Sequence, residues 1–301
     1  MSAKFLEGFS GKFAEQWTTT LLTPAFVFWA GGAIAALQKF GWQTLSAWFI
    51  PLPEPLQIAS LFGIFLTISI SAFIIQRFDL AVIRFLEGYW PPYFKWLTQI
   101  LIQPQRNRRN RIKKQLASLN DRGLDNLDSI KKSQHFQLSA QFMSFPNDDD
   151  LLPTRLGNLL RAAERRPLKR YGLDAIVCWS RLWLLLPEAP RTDLTAARAE
   201  LNAAARIWLW SILFMIWCPL FGAWWALLGA IVALWTYYTW LLDAASIYAE
   251  LINAAFDTHR HLLYKSLRFP LPTNSETEVQ TGKQLNQYIW QDQSTSIDFH
   301  D

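Results

Sequence analysis

Charged residues are missing from long blocks of this chain and crowded into others. Apolar runs occupy residues 20–37, 56–75, 207–220 and 222–242, and none of them contains Asp, Glu, Lys or Arg. The runs are unbroken rather than alternating, which predicts helices and not strands. A helix needs about 20 apolar residues to cross a ~30 Å hydrocarbon core, and only helices and closed barrels satisfy their own backbone there. The pattern therefore predicts an all-α membrane protein with four transmembrane helices. The first two lie in 20–75. The last two form a hairpin over 206–242, turned at Cys218, Pro219 and Gly222.

Weaker signals organise the rest. Residues 1–19 predict an amphipathic interfacial helix, with Phe5, Phe9, Phe13 and Trp17 four apart and Lys4 and Lys12 for headgroups. Glu7 and Glu15 interrupt this stretch, which does not read as a signal peptide. Gly31, Gly32, Ala35 and Ala36 give the first span a small-residue face that another helix can approach closely. Between spans two and three, residues 76–205 predict a helical domain. Within it Thr154 caps one helix, and the apolar run ending at Leu186 is too short to cross a bilayer. Thr192 or Asp193 is expected to cap an Ala-rich helix that continues through Arg206. Residues 243–270 extend the fourth helix beyond the membrane, and 271–301 read as a polar, flexible tail with one short helix near 279–290.

Charge then sets an orientation. Of the 29 Lys and Arg residues in the 301-residue chain, most fall between 76 and 205. By the positive-inside rule that domain and both termini are expected on the cytosolic side. Trp is abundant (16 residues) and gathers at the ends of the apolar blocks, as in an interfacial aromatic belt. Two cysteines allow neither a disulfide framework nor a Cys-rich metal site.

Three constellations suggest chemistry. Ser60, Gly63, Thr67 and Ser71 share one face of the second span, which runs on to Ile74 and Phe78. In an oligomer this face is a candidate pore lining closed by a hydrophobic constriction; the alternative is helix packing through small residues. Asp243, Glu250 and Asp257 lie seven apart, as do Arg77 and Arg84, and both sets begin where an apolar block ends. Arg77–Asp243 and Arg84–Glu250 are thus candidate interhelix ion pairs, unless both stripes face water. The basic run carrying Arg106, Arg108, Arg109, Arg111, Lys113 and Lys114 is a candidate contact for anionic lipid. Nucleic acid is the less favoured partner, since no reader motif accompanies the run.

The acidic loop Asp148–Asp150 lacks the spacing of a calcium loop. His261 with Asp257 offers two ligands at helical spacing and no third. No catalytic, nucleotide-binding or zinc motif occurs, and neither enzyme activity, cofactor nor metal is expected.

The segment LLPTRLGNLLRAAERRPLKRYGLDAIVCW (151–179), together with LEGYWP (86–91), resembles uncharacterised bacterial multi-pass membrane proteins. The resemblance implies a bacterial cytoplasmic membrane and no mechanism. From the residues themselves, Leu156, Leu159, Leu160 and Ala163 give an apolar helix face. Tyr89, Trp90, Tyr93 and Trp96 are expected to cluster and hold the domain against the membrane-exiting helices. Two functions follow as expectations. One is a homo-oligomeric ion channel lined by the second span and regulated by the cytosolic domain. The other is a non-conducting anchor or scaffold whose basic domain binds anionic lipid or a partner protein.

Overall fold

A computed structural model describes residues 23–121 and 128–290. Every regular element among them is helical. The chain divides into two compact units, Met1–Ile83 with Glu200–Leu241 and Arg84–Ala199 with Leu242–Asp301. The expected helix over 1–19 lies outside the described residues.

The first unit holds α1 (Thr23–Phe40), α2 (Trp42–Phe49), α3 (Glu54–Gln76) and the start of α4 (Asp79–Glu87). The end of α9 (Glu188–Phe214) and α10 (Trp217–Phe221) follow. Next come α11 (Leu228–Thr236) and a π-helical turn at Tyr237–Leu241. Three described helices are long and apolar enough to cross a membrane: Glu54–Gln76, Glu188–Phe221 and Trp224–His259. Thr23–Phe40 is not among them; its two glycines and Gln38-Lys39 dilute its apolar character.

The small-residue face of α1 does pack as its composition predicts. A Cβ on Gly31 would sit 2.3 Å from the Phe214 ring, and one on Gly32 would sit 2.5 Å from Trp217. Trp217 donates its indole N–H to the Phe28 carbonyl at 3.1 Å. A small core of Ala25, Ile68, Ala72 and Trp210 joins α1, α3 and α9. The hairpin turn falls where expected: Gly222 is left-handed (φ 73°) and its N–H closes on Cys218 O at 2.8 Å. Such a φ strains any residue but glycine.

The second unit contains α5 (Lys95–Asn120), α6 (Ser129–Met143), α7 (Arg155–Tyr171) and α8 (Ala175–Leu185). It also contains α12 (Leu242–His259), α13 (His261–Ser266) and α14 (Ser275–Trp290). Its core gathers Tyr171, Leu182, Phe256, Leu263, Tyr264 and Leu285, all buried. Caps start these helices. Thr154 Oγ1 accepts from Gly157 N–H, as expected, and Asp128 and Asp174 do the same for α6 and α8. Each cap satisfies an N–H that the first helical turn leaves without a partner.

Three expectations change. The Ala-rich helix starts at Glu188, with Pro190 in its first turn where no N–H is needed; Thr192 does not cap it but donates to Glu188 O at 2.9 Å. Residues 275–290 are not loose, because α14 is docked. Leu285 is fully buried, a Cβ on Gly282 would meet Tyr171 O at 2.1 Å, and Asn286 bonds Gly172 O and Asp174 N–H. Of the four aromatics expected to cluster, Tyr89, Tyr93 and Trp96 are exposed and Trp90 is half-buried, lying 6.1 Å from the Phe85 ring.

Candidate functional site

The two segments quoted above, 86–91 and 151–179, meet at one joint in the second unit. Helix α4 ends at Gly88 (φ 97°), and a Cβ there would lie 2.3 Å from Pro153. Thr154 Oγ1 donates to Glu87 O at 3.0 Å while accepting from Gly157 N–H. Gly157 lies so close to Glu87 O that a Cβ would stand 2.0 Å from it. Asn158, buried, closes the loop through Leu152 N–H, Leu152 O and Thr154 O at 2.8–2.9 Å. Two glycines and one amide thus fix the end of α4 on the start of α7.

This joint aims the Glu87 side chain into an open groove of about 270 Å³ lined by Glu164, Ile176, Trp179, Arg198 and Tyr248. Burial raises the Glu87 carboxyl from 4.5 to about 7, and the Glu164 carboxylate adds to the rise; Arg198, Arg84 and Arg161 oppose it. Glu164 is held by Arg161 at 3.3 Å. Arg198 lies 5.4 Å from the centre of the Tyr248 ring. Near neutral pH Glu87 exchanges a proton, so it can donate or accept a hydrogen bond in the groove. No local pattern announces this site, because its residues come from five separate helices.

The residues expected from sequence fall elsewhere. Ser60, Thr67 and Ser71 donate to their own helix backbone, at Leu56 O, Gly63 O and Ile68 O, at 2.7–2.8 Å. Ser71 also accepts from Trp29 Nε1 at 3.0 Å, which draws it into the contact with α1. Gly63 has open space around its Cβ position. Ile74 and Phe78 are exposed. Arg84 and Glu250 are both exposed and are not among the ion pairs of the described residues. The two residues leave their helices at matching distance from an apolar block, but α12 turns Ala245 and Ala249 inward and Glu250 outward. Arg77 and Asp243 are likewise exposed, and each belongs to a different unit. The ion pair at the end of the apolar blocks is instead Asp79–Arg206, inside the first unit, at 3.0 Å with side chains only 14% and 11% exposed.

In the basic run, Arg106, Arg111, Lys113 and Lys114 are exposed. Arg108 and Arg109 are turned inward over the Phe145 and Phe142 rings, and burial lowers the affinity of Arg108 for its proton. Arg109 also binds Asp148 at 2.5 Å. Asp150 is held by Arg165 at 3.0 Å and Arg161 at 3.4 Å, so two carboxylates of the acidic loop already carry cationic partners. Asp257 accepts from Tyr171 Oη at 2.6 Å and Arg170 at 3.2 Å, while His261 is exposed. Among the described residues no three His, Cys, Asp or Glu side chains are grouped to hold a metal. Cys178 is buried against Asn286, and burial pushes its thiol up to about 12, which makes it unreactive.

No protein family, curated protein or solved structure matches this chain. The structure itself defines the class: among the described residues every regular element is helical, and three helices are long and apolar enough to cross a membrane.

Proposed function

We propose that the protein is a non-conducting membrane anchor whose second unit presents a basic, partner-binding surface on the cytosolic side. The observation that carries this reading is the closed hydrogen bonding of α3. Its hydroxyls are spent on its own backbone, with Ser69 on Phe65 O at 2.9 Å completing the set. A hydroxyl bonded this way can face lipid without an unsatisfied donor. The outer surface of α3 is otherwise Leu61, Phe62, Ile64, Phe65 and Ile70, all exposed. We take α1 as a fourth span, since it packs on α3 and α9 through Ala25, Gly31 and Gly32; at 1.5 Å per residue its 18 residues reach about 27 Å. Four spans keep both termini on one side.

A pore formed by several copies is the second reading. It draws on the uncovered face of Ser60, Gly63 and Thr67, which faces away from the unit's own core. Planar-bilayer recording of the purified protein, with its mass in detergent, separates the two. The anchor reading expects no unitary currents. Currents abolished by Thr67→Trp would overturn it.

A further inference from the structure

Among the described residues, helix α5 has one face without a partner along most of its length. Trp96, Ile100, Gln103, Asn107, Arg111 and Lys114 follow one another three or four residues apart, and every one is exposed. Such spacing places them on one side of a helix. The opposite side is the packed one, with Ile112 and Leu119 buried and Arg108 and Arg109 folded over the aromatic rings of α6 and the residues just after it. The free face has two halves. Its start is apolar and aromatic, with Trp96 60% and Ile100 58% exposed and Tyr93, just ahead of the helix, 83% exposed. Its end is cationic, with Arg111 and Lys114 on the face and Arg106 and Lys113 exposed beside it. No acidic residue occurs between Tyr93 and Asn120.

We propose that this face lies on the surface of the bilayer that the apolar helices enter, with Trp96 and Ile100 in the interface and Arg111 and Lys114 on anionic headgroups. The proposal rests on the anchor reading and names the partner of its basic surface. Aromatic rings with one polar edge favour the headgroup level, and helices with an apolar stripe and basic flanks lie in the plane of the interface. Along the chain, only α4 and a short turn separate α5 from the span Glu54–Gln76. Of the six basic residues that the sequence offers for lipid contact, Arg108 and Arg109 are thereby excluded, being held inside the unit.

The test uses the full chain with Cys218→Ser and Ile100→Cys, labelled with an environment-sensitive fluorophore; Cys178 is buried and does not compete. The protein is placed in nanodiscs of phosphatidylcholine alone or with one third phosphatidylglycerol, each with and without lipids carrying a doxyl quencher. The expected result is a blue-shifted label quenched several-fold more in the anionic discs, with the excess lost on charge reversal of Arg106, Arg111, Lys113 and Lys114. A label that stays in water in anionic discs overturns the proposal, as does equal quenching in both disc types. A label shielded from water but untouched by doxyl lipid also overturns it and assigns the face to a protein. Failure to enter nanodiscs at all is a separate outcome, which removes the anchor reading beneath it.

Discussion

The two units differ in where their apolar side chains go. In the first, α3 has Phe62, Ile64 and Phe65 more than half exposed, and only 17% of its most apolar window is covered by the rest of the chain. In the second, Leu182, Phe256, Leu263 and Leu285 are wholly buried, and capped amphipathic helices converge on one core. The hydroxyls on the outer face of α3, Ser60 and Thr67, return to their own helix, whereas polar links between distant segments sit in packed contacts of both units, such as Trp217 to Phe28 in the first and Tyr171 to Asp257 in the second. The exposed apolar surface of α3 suits a solvent that needs no polar partner, whereas the second unit encloses its apolar side chains. A glycine on the uncovered face of α3 and one in the packed joint of the second unit should therefore respond oppositely to the same substitution.

Gly157→Ala forces a Cβ against a backbone carbonyl and should destabilise the second unit by more than about 3 kcal/mol, measured by its melting in detergent. Gly63→Ala meets open space and should be neutral or slightly stabilising. Equal effects would mean that the α3 face around Gly63 is covered as closely as the joint at Gly157.

Asp79→Asn leaves Arg206 without its counter-charge in a nearly buried site, and about 2–3 kcal/mol of stability should be lost. The double variant Asp79→Leu with Arg206→Met should recover most of the loss, because apolar groups suit that position. A double variant no more stable than Asp79→Asn alone would contradict this.

Glu87 gives a pH test. Its folded pKa of about 7 exceeds the ordinary 4.5, so between those values the folded chain holds more protons than the unfolded one. Stability from this group is then present at low pH and declines as pH rises from about 4.5 to 7, after which it is flat. Glu87→Gln should remove that slope and stabilise the protein at pH 8 by about 1–2 kcal/mol, after discounting for solvent access. An unchanged slope would place Glu87 in water.

The smallest effects are expected at two further sites. Tyr264→Phe removes a buried hydroxyl that has no hydrogen-bond partner among the described residues and should cost nothing or stabilise by up to about 1 kcal/mol. Glu250→Lys should stay within about 0.5 kcal/mol, since that side chain faces water.

Features that depend on neighbours in sequence were legible. The Thr154 cap, the Gly222 turn and the small face of α1 follow from local rules that the structure obeys. Features that depend on helix rotation were not. Matching depth suggested Arg84 with Glu250, yet depth leaves the facing direction open, and Ala245 and Ala249 decided it. The docking of α14 leaves no mark in the sequence because Leu285 and Gly282 lie in a polar stretch, and a single buried leucine makes no periodic signal. The groove at Glu87 leaves no sequence pattern because α4, α7, α8, α9 and α12 each supply only one to three residues to it.

The central claim is that the outer face of α3 meets lipid and not a water-filled pore. A spin label at Thr67→Cys, in a Cys218→Ser background and a lipid bilayer, tests it through collision with relaxing agents. Relaxation by dissolved oxygen, with little from a water-soluble nickel chelate, is the expected result. Strong relaxation by the chelate and weak relaxation by oxygen would contradict it.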